Sequence, residues 1–182
     1  IDEIVLVVGY LAEQIEAKIK TYQEQGIKIK TIYNPFYSES NNLVSLWFAK
    51  EEFNSDTLIT NGDNIFSSNV FKDLVNYEDK GIYLSISKKE QSQYTPGDMK
   101  VCLEENNLIC NVSKELAAED TDAESPGLVK ISGKRYLSIY KNILDQLIRK
   151  KESKQQFWLE TFNTLHRQGI NVEPFEINGA KD

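Results

Sequence analysis

The sequence predicts an α/β fold in which a largely parallel sheet is flanked by helices. Three observations carry this prediction. Short apolar runs alternate along the chain with segments whose apolar residues recur every three or four positions. The first run, Ile4–Val8, is continuously apolar, which is typical of a strand buried on both faces of a parallel sheet. The 182 residues are enough for one domain with a substantial core.

The first three elements form a strand–helix–strand unit. Ile4–Val8 is the first strand, and Ile27–Ile32 alternates apolar residues with others as a second strand would. The segment between them repeats apolar residues at helical spacing, at Leu11, Ile15, Ile19 and Tyr22. Gly26 is a natural end for this helix. A unit of this kind crosses over right-handedly.

The alternation of helices and strands continues to Ile86. Tyr33-Asn34-Pro35 breaks the strand pattern, and a polar loop leads to Asn41-Asn42. The pattern then predicts a helix marked by Leu43, Leu46, Trp47 and Phe53, a strand at Asp56–Thr60, a helix that Ser67 or Ser68 can cap, and a strand at Ile82–Ile86.

The second half begins with a hairpin. The predicted strands Met99–Leu103 and Leu108–Val112 flank Glu105-Asn106-Asn107, and a charged loop follows. The remaining pattern predicts a strand at Gly127–Ile131, helices over Tyr136–Ile148 and Phe157–Leu165, and a last strand at Val172–Ile177. With no internal repeat or linker, residues 1–182 are predicted to form a single domain. Its sheet is expected to be Rossmann-like, mixed and largely parallel, with a small β-hairpin insertion.

Composition and charge limit the classes of partner. The formal net charge of −7 argues against nucleic acid or an anionic membrane held by a broad basic surface, but not against a small anionic ligand. No apolar run approaches the roughly 20 residues that span a bilayer. The first residues lack the pattern of a secretory signal, so we expect a cytoplasmic protein. A hairpin turn would bring Cys102 near Cys110, and both thiols are expected to be reduced.

Asp63 has two interpretations. It follows a predicted strand within Asn61-Gly62-Asp63-Asn64, and these residue types commonly form tight turns. Ligands of open α/β sheets, however, bind beyond the carboxyl ends of the strands. Asp63 could therefore hold a divalent cation, with Gly62 letting a phosphate or ribose come close. Mg²⁺ suits this role because it commonly takes one or two carboxylates and completes its shell with water and substrate phosphate.

The other candidates also have a structural alternative. Asn41-Asn42 can be an ordinary helix cap, or the helix start can favour an anion. Lys114 can be a solvated lysine after a strand. In Glu124-Ser125-Pro126-Gly127 an acidic residue precedes a tight turn, and the glycine permits close approach of a ligand or of another backbone segment.

In combination, these segments resemble the nucleotidyltransferases that attach a nucleoside monophosphate to a small phosphorylated molecule. The segments that carry the resemblance, in order, are Ile4–Leu11, Tyr33-Asn34-Pro35, Asn41–Leu46 and Asn61–Phe66. Asn41-Asn42-Leu43-Val44-Ser45-Leu46 is similar to the branch of phosphocholine, aminoethylphosphonate and inositol-phosphate cytidylyltransferases. Later segments that look like the same branch are Val112-Ser113-Lys114, Glu124–Lys130 and Phe157-Trp158.

The resemblance implies a reaction and roles for residues. CTP, or another NTP, would react with a small phosphate or phosphonate monoester such as phosphocholine and release pyrophosphate. Asp63 resembles the aspartate that binds Mg²⁺, and Lys114 resembles the lysine on the substrate phosphate. Glu124 looks like a residue of the acceptor pocket. Gly62 and the helix start at Asn41-Asn42 would face the nucleotide or the substrate.

The resemblance also implies two parts outside this sequence. A Gly-rich phosphate loop belongs before Ile1 and a second acidic metal motif belongs after Asp182, so we expect both ends to be cut and the chain alone to be inactive. Asp182 itself is not assigned to that motif. Two alternatives stay open, namely a sugar-1-phosphate nucleotidyltransferase that uses another NTP and a non-catalytic nucleotide-binding domain. Whether the protein is a homo-oligomer is also left open.

Overall fold

The computed structural model describes residues 1–77 and 79–177, so Asp182 lies outside the described residues. The helices are α1 (Ala12–Gln23), α2 (Asn42–Ala49), α3 (Ser68–Asn76), α4 (Lys134–Leu147) and α5 (Glu160–Arg167). The strands are β1 (Ile4–Val8), β2 (Ile29–Tyr33), β3 (Thr57–Thr60), β4 (Ile82–Ile86), β5 (Lys100–Leu103), β6 (Ile109–Ser113), β7 (Ala123–Glu124), β8 (Leu128–Ile131) and β9 (Glu173–Glu176). The predicted elements are thus present, and β7 lies in the segment that was predicted as a charged loop.

The chain groups into two compact units, and one of the three divisions between them falls within α4. The first unit comprises Ile1–Phe53 and Lys141–Trp158. Its sheet pairs β1 with β2 in parallel, as the strand–helix–strand pattern predicts. Helix α1 packs on β2, and α2 packs on β1. Buried apolar side chains of this unit include Val8, Ile19, Leu43, Leu144 and Trp158.

The second unit comprises Asn54–Tyr140 and the described residues from Leu159 onward. Its larger sheet has the strand order β3–β8–β4–β9. Strands β4 and β9 are parallel, whereas β8 runs antiparallel to both β3 and β4. The sheet is therefore mixed, and the expectation of a largely parallel sheet needs correction. Residues 87–127, which connect β4 to β8 and are all described, contain the hairpin strands but no α-helix of the kind that returns a parallel strand.

The predicted hairpin forms part of a second sheet in this unit, with the order β6–β5–β7. Its turn is closed by the Glu104 N–H, which donates to the Leu108 carbonyl at 2.8 Å, and Asn107 adopts a left-handed φ of 64°. Helix α5 covers β6. The buried Asn163 side chain of α5 accepts a hydrogen bond from the Val112 N–H (2.7 Å) and donates to the Val112 carbonyl (2.9 Å). Asn163 thus pairs with β6 as a neighbouring strand would.

One core cluster of the second unit lies between α3 and the larger sheet. Its buried members are Val70, Leu74, Tyr83, Leu128 and Ile177. Lys130 on β8 is also buried, and its Nζ donates to the carbonyls of Val75 (3.0 Å) and Tyr77 at the end of α3. Lys130 thereby satisfies carbonyls that the helix leaves without partners. Burial lowers its pKa below the ordinary lysine value.

None of the helices in the described part of the chain is long and apolar enough to span a bilayer.

Phe157 and Trp158, which were predicted to begin the last helix, precede α5 instead.

Asp56 joins the start of β3 to the start of α4. Its carboxylate accepts hydrogen bonds from Ser132 Oγ (2.7 Å) and the Gly133 N–H (2.8 Å), and it pairs with Lys80 Nζ at 3.2 Å. Gly133 directly precedes α4, so Asp56 satisfies a donor at the N-terminal end of this helix. Burial raises the pKa of Asp56, but the hydrogen bonds from Ser132, Gly133 and Lys80 outweigh it and leave the pKa lowered.

Asp56→Asn is expected to reduce the free energy of unfolding near neutral pH by about 1 kcal/mol, the usual contribution of a helix cap. Because the pKa of Asp56 is lowered in the folded protein, this contribution is fully present at pH values above the unfolded-state pKa of about 3.9. It is lost as the pH falls through the folded-state value. Urea unfolding of both proteins at pH 7 and pH 3 should show the difference shrinking at pH 3. An equal difference at both pH values would contradict a role for the ionised carboxylate.

Candidate active site

Asp63 lies in the loop that follows β3, at the carboxyl end of that strand. The segment 61–64 leaves the strand directly after Thr60 and turns at Gly62 and Asp63. The Asp63 side chain is exposed, and within residues 1–77 and 79–177 its carboxylate accepts no hydrogen bond. An aspartate that serves only a turn commonly bonds the backbone two residues further on. Asp63 makes no such bond, so its carboxylate is available to a ligand.

The loop that carries Asp63 is held against the segment 125–127. Strand β3 pairs antiparallel with β8, and Thr60 lies opposite Leu128. The Asn64 side-chain amide donates to the Pro126 carbonyl. Gly127 has a φ of +78°, and a Cβ built on it would lie 2.8 Å from the side-chain nitrogen of Asn61. The two segments that the sequence singled out separately are therefore in contact.

Neither the backbone conformation nor the surrounding described residues require a glycine at position 62. Its φ is outside the left-handed region, and a Cβ built on it would meet no atom within 4 Å. A tight turn that needs glycine for its backbone is therefore not the reason for glycine at this position. A role of Gly62 in admitting a ligand stays a prediction.

Gly127→Ala is expected to destabilise the protein by roughly 1–3 kcal/mol, because a side chain is strained at positive φ and would also collide with Asn61. Gly62→Ala is the matched control, since it adds the same methyl group to the neighbouring loop without strain or collision. Chemical unfolding of the two variants measures the difference. Equal free energies of unfolding for the two variants would show that neither the positive φ of Gly127 nor its contact with Asn61 restricts this position to glycine.

Glu124 lies on β7, directly before the segment that contacts the Asp63 loop. Its carboxylate pairs with Lys89 Nζ at 2.5 Å, and Lys89 Nζ lies 3.9 Å from Asp98. The hydrogen bond to Glu124 raises the pKa of Lys89. The backbone N–H of Thr95 is the main cause that lowers the pKa of Asp98. Glu124 therefore belongs to a small charged cluster, and its role in an acceptor pocket stays a prediction.

Lys114 follows β6, and its backbone carbonyl accepts a hydrogen bond from Lys100 Nζ at 2.8 Å. The strand register places Lys100 of β5 opposite Ser113 on one side and Glu124 on the other. The small sheet thus brings the segments of Lys114 and Glu124 to the two sides of Lys100. The catalytic role of Lys114 remains a prediction.

Asn41 and Asn42 lie in the first unit, at the start of α2. Asn41 is the N-cap, and its side-chain oxygen accepts a hydrogen bond from the Asn42 N–H at 2.8 Å. The Leu43 N–H donates to the Gln156 carbonyl at 3.4 Å, and the Asn42 side-chain oxygen accepts from the Trp158 N–H at 2.9 Å. The capping interpretation therefore holds. A role of Asn41 and Asn42 in nucleotide binding stays a prediction.

Sequence reasoning did not single out Lys89 and Lys100. Lys89 follows the carboxyl end of β4, and ligands of open α/β sheets commonly bind beyond such strand ends, but sequence reasoning gave this lysine no role of its own. Lys100 is only 6% exposed, and its partner is a backbone carbonyl, which leaves no signal in the sequence. The second unit thus holds Gly62, Asp63, Lys114 and Glu124 on neighbouring segments, while Asn41 and Asn42 belong to the first unit.

The elements together form a mixed α/β fold of the nucleotidyltransferase type. The inositol-1-phosphate CTP transferase from T. maritima has this fold, with a TM-score of 0.75 at 17% identity over 98% of this chain and 68% of that one. No protein-family model matches the chain.

Two curated relatives also have names that refer to cytidylyl transfer or to a CMP-linked product. The choline-phosphate cytidylyltransferase of Streptococcus pneumoniae (strain ATCC BAA-255 / R6) is 28% identical over 90 residues, which cover 50% of this chain and 35% of that protein. The CMP-5'-(3-aminopropyl)phosphonate synthase of Streptomyces rubellomurinus (strain ATCC 31215) is 35% identical over 74 residues, 41% of this chain and 12% of that protein. The matched segments thus span well under half the length of either relative. The predicted resemblance to small-substrate cytidylyltransferases is confirmed.

Proposed function

We propose that the protein transfers CMP from CTP to a small phosphate or phosphonate monoester and releases pyrophosphate. The observation that carries this proposal is the available carboxylate of Asp63, at the end of a strand and in a loop that contacts the segment directly after Glu124. The names of the relatives, which specify choline phosphate and an aminopropylphosphonate, support CTP as the nucleotide and a small phosphorylated acceptor.

The proposed reaction needs positioning and neutralisation of charge more than covalent chemistry by the protein. An oxygen of the acceptor phosphate attacks the α-phosphorus of CTP in line. The bond from that phosphorus to the pyrophosphate oxygen breaks, and pyrophosphate leaves on the opposite side. The acceptor oxygen is already ionised, so no general base is required. Lys114 would hold the acceptor phosphate, and Gly62 would leave room for the nucleotide phosphates.

The described residues fit a Mg²⁺ ion that takes one ligand from this part of the chain. Asp63 offers exposed carboxylate oxygens, and residues 1–77 and 79–177 contain no group of three His, Cys, Asp or Glu side chains that could hold a metal. Mg²⁺ commonly binds one or two carboxylates and keeps water and substrate phosphate in the rest of its shell. When bound at Asp63, it would neutralise charge that develops on the phosphates.

We propose that Glu124 contacts the positive group of the acceptor. Its carboxylate is paired with the Lys89 amine at 2.5 Å, so this side chain already accommodates an ammonium group. A cationic acceptor such as phosphocholine would take the place of the Lys89 amine. A neutral acceptor group could not replace the charge of Lys89, so Glu124 would stay paired with Lys89 when such an acceptor binds.

Pyrophosphate release tests the proposal in the protein expressed from its complete reading frame with Mg²⁺. CTP, UTP, GTP and dTTP are each combined with phosphocholine, 2-aminoethylphosphonate, inositol 1-phosphate and glucose 1-phosphate. The proposal expects turnover with CTP and one of the three small acceptors. Turnover of glucose 1-phosphate with another NTP would assign a sugar-1-phosphate nucleotidyltransferase instead. CTP binding by calorimetry without turnover of any pair would assign a non-catalytic nucleotide-binding domain.

Gly62→Ala separates a ligand role of this glycine from a structural one. The free energy of unfolding should change by no more than about 0.5 kcal/mol, because the added methyl group meets open space. The value of kcat/KM for CTP should fall by about tenfold or more, because the methyl group would displace a closely approaching phosphate. Gly97→Ala, another loop substitution without collision, is the control and should leave both quantities unchanged. Unchanged kcat/KM in Gly62→Ala would remove this loop from the nucleotide site.

A further inference from the structure

We propose that Cys102 and Cys110 form a dithiol site that is reversibly oxidised to a disulfide within the hairpin. The β5–β6 register pairs Cys102 with Asn111 and Leu103 with Ile109, so Cys110 is the extra residue of a β-bulge. At a bulge, two residues of one strand oppose a single residue of the other. Cys110 therefore lies beside Asn111, the partner of Cys102, and its thiol contacts the Cys102 thiol.

This placement meets the geometric requirement of a disulfide. Directly opposed residues of antiparallel strands have Cα atoms about 4.5–5.5 Å apart, and disulfides form at Cα separations of about 4.4–6.8 Å. Cys110 is next to the directly opposed residue, and the contact between its thiol and that of Cys102 shows that the two side chains reach each other. The hairpin turn and the Asn163 contacts to Val112 hold the strands in register. The two thiols are thus close without any rearrangement of the strands.

Both cysteines are free thiols and partly exposed, so a small oxidant can reach them. The Cys110 thiol lies beside that of Cys102. Burial and the neighbouring Cys102 thiol raise the pKa of Cys110 to about 12, and the nearby Glu104 carboxylate acts in the same direction. From α5, His166 Nε2 lies 3.8 Å from Glu104. The raised pKa of Cys110 disfavours its thiolate, so we assign the first attack to Cys102.

The chemistry is thiol–disulfide exchange with a low-molecular-weight disulfide such as oxidised glutathione. The Cys102 thiolate attacks one sulfur of that disulfide and expels one glutathione thiolate, which leaves a mixed disulfide on Cys102. Cys110 then loses its proton to solvent and attacks Cys102 Sγ, and the second glutathione leaves. The protein loses two hydrogens, and one oxidised glutathione becomes two reduced molecules.

Thiol titration and intact mass after incubation with oxidised glutathione test the proposal. The expected product is a monomer that has lost two hydrogens, has no titratable thiol and regains both with dithiothreitol. Cys102→Ser and Cys110→Ser should each retain one bound glutathione, and uptake should be faster at Cys102 than at Cys110, because burial also raises the pKa of Cys110. Disulfide-linked dimers, a stable glutathione adduct on the unchanged protein, or two persistent thiols would each overturn the proposal.

A trivalent arsenical gives a second measurement that requires no oxidation. Phenylarsine oxide bridges two neighbouring thiols, so the reduced protein should bind one equivalent and each single serine variant should bind none. This readout also holds if a serine variant is less stable, because it is compared with the unchanged protein under the same conditions. Failure of the unchanged protein to bind the arsenical would show that the two thiols are not adjacent.

Discussion

Asp63→Asn is expected to lower kcat/KM for pyrophosphate release from CTP by about 100-fold or more. The substitution removes the charge of the carboxylate proposed to hold Mg²⁺ against the nucleotide, and loss of one such electrostatic contact commonly costs this much. The free energy of unfolding should change by no more than about 0.5 kcal/mol, because the side chain is exposed. Steady-state kinetics and urea unfolding of the protein from its complete reading frame give the two values.

Asp73→Asn is the matched control for Asp63→Asn. Asp73 is an exposed aspartate on α3 of the same unit, so its substitution removes the same charge from the protein surface. We expect it to leave both kcat/KM and stability unchanged. Full activity in Asp63→Asn would contradict the metal assignment, and an equal loss in both variants would indicate a general effect of surface charge.

Asn163→Leu is expected to lower the free energy of unfolding by roughly 2–5 kcal/mol. The substitution leaves the N–H and the carbonyl of Val112 without partners in a buried setting, and each unsatisfied group costs about 1–3 kcal/mol. Leucine has a similar size, so the loss of the two hydrogen bonds dominates. Chemical unfolding gives the change in stability, and hydrogen exchange at the Val112 amide should become faster.

Asn69→Leu controls for the change from amide to leucine on a helix. Asn69 is exposed on α3, so this substitution should change stability by no more than about 0.5 kcal/mol. If Asn163→Leu were equally mild, the side-chain contacts of Asn163 with β6 would contribute little. If hydrogen exchange became faster only at the Val112 amide, the destabilisation would be local to the hairpin.

The sequence placed the candidate carboxylate correctly in the fold. An apolar run that ends in Asn61-Gly62-Asp63 predicts a strand followed by a polar loop, and β3 ends at Thr60. The sequence left open whether Asp63 serves only the turn. In the described part of the chain, the Asp63 carboxylate accepts no hydrogen bond and the φ of Gly62 is outside the left-handed region, and neither property can be read from residue types.

The direction of β8 and the partners of single polar residues could not be predicted from the sequence. An apolar strand pattern is the same for parallel and antiparallel neighbours, so the mixed order β3–β8–β4–β9 required the structure. The pairing of Lys89 with Glu124 joins residues distant in sequence. Similarly, Asn163 is an ordinary polar residue within a helical pattern, and only its position against β6 explains its burial.

The sequence by itself determined the alternation of helices and strands, the hairpin and the order of motifs that resembles the cytidylyltransferases. Local apolar periodicity and turn chemistry encode these features, because they depend on neighbours within a few residues. Only the tertiary structure decided which loops meet. The contact of the Asp63 loop with Pro126 and Gly127, and the bulge that places Cys110 beside the partner of Cys102, both follow from strand register. Register depends on packing between segments that are distant along the chain.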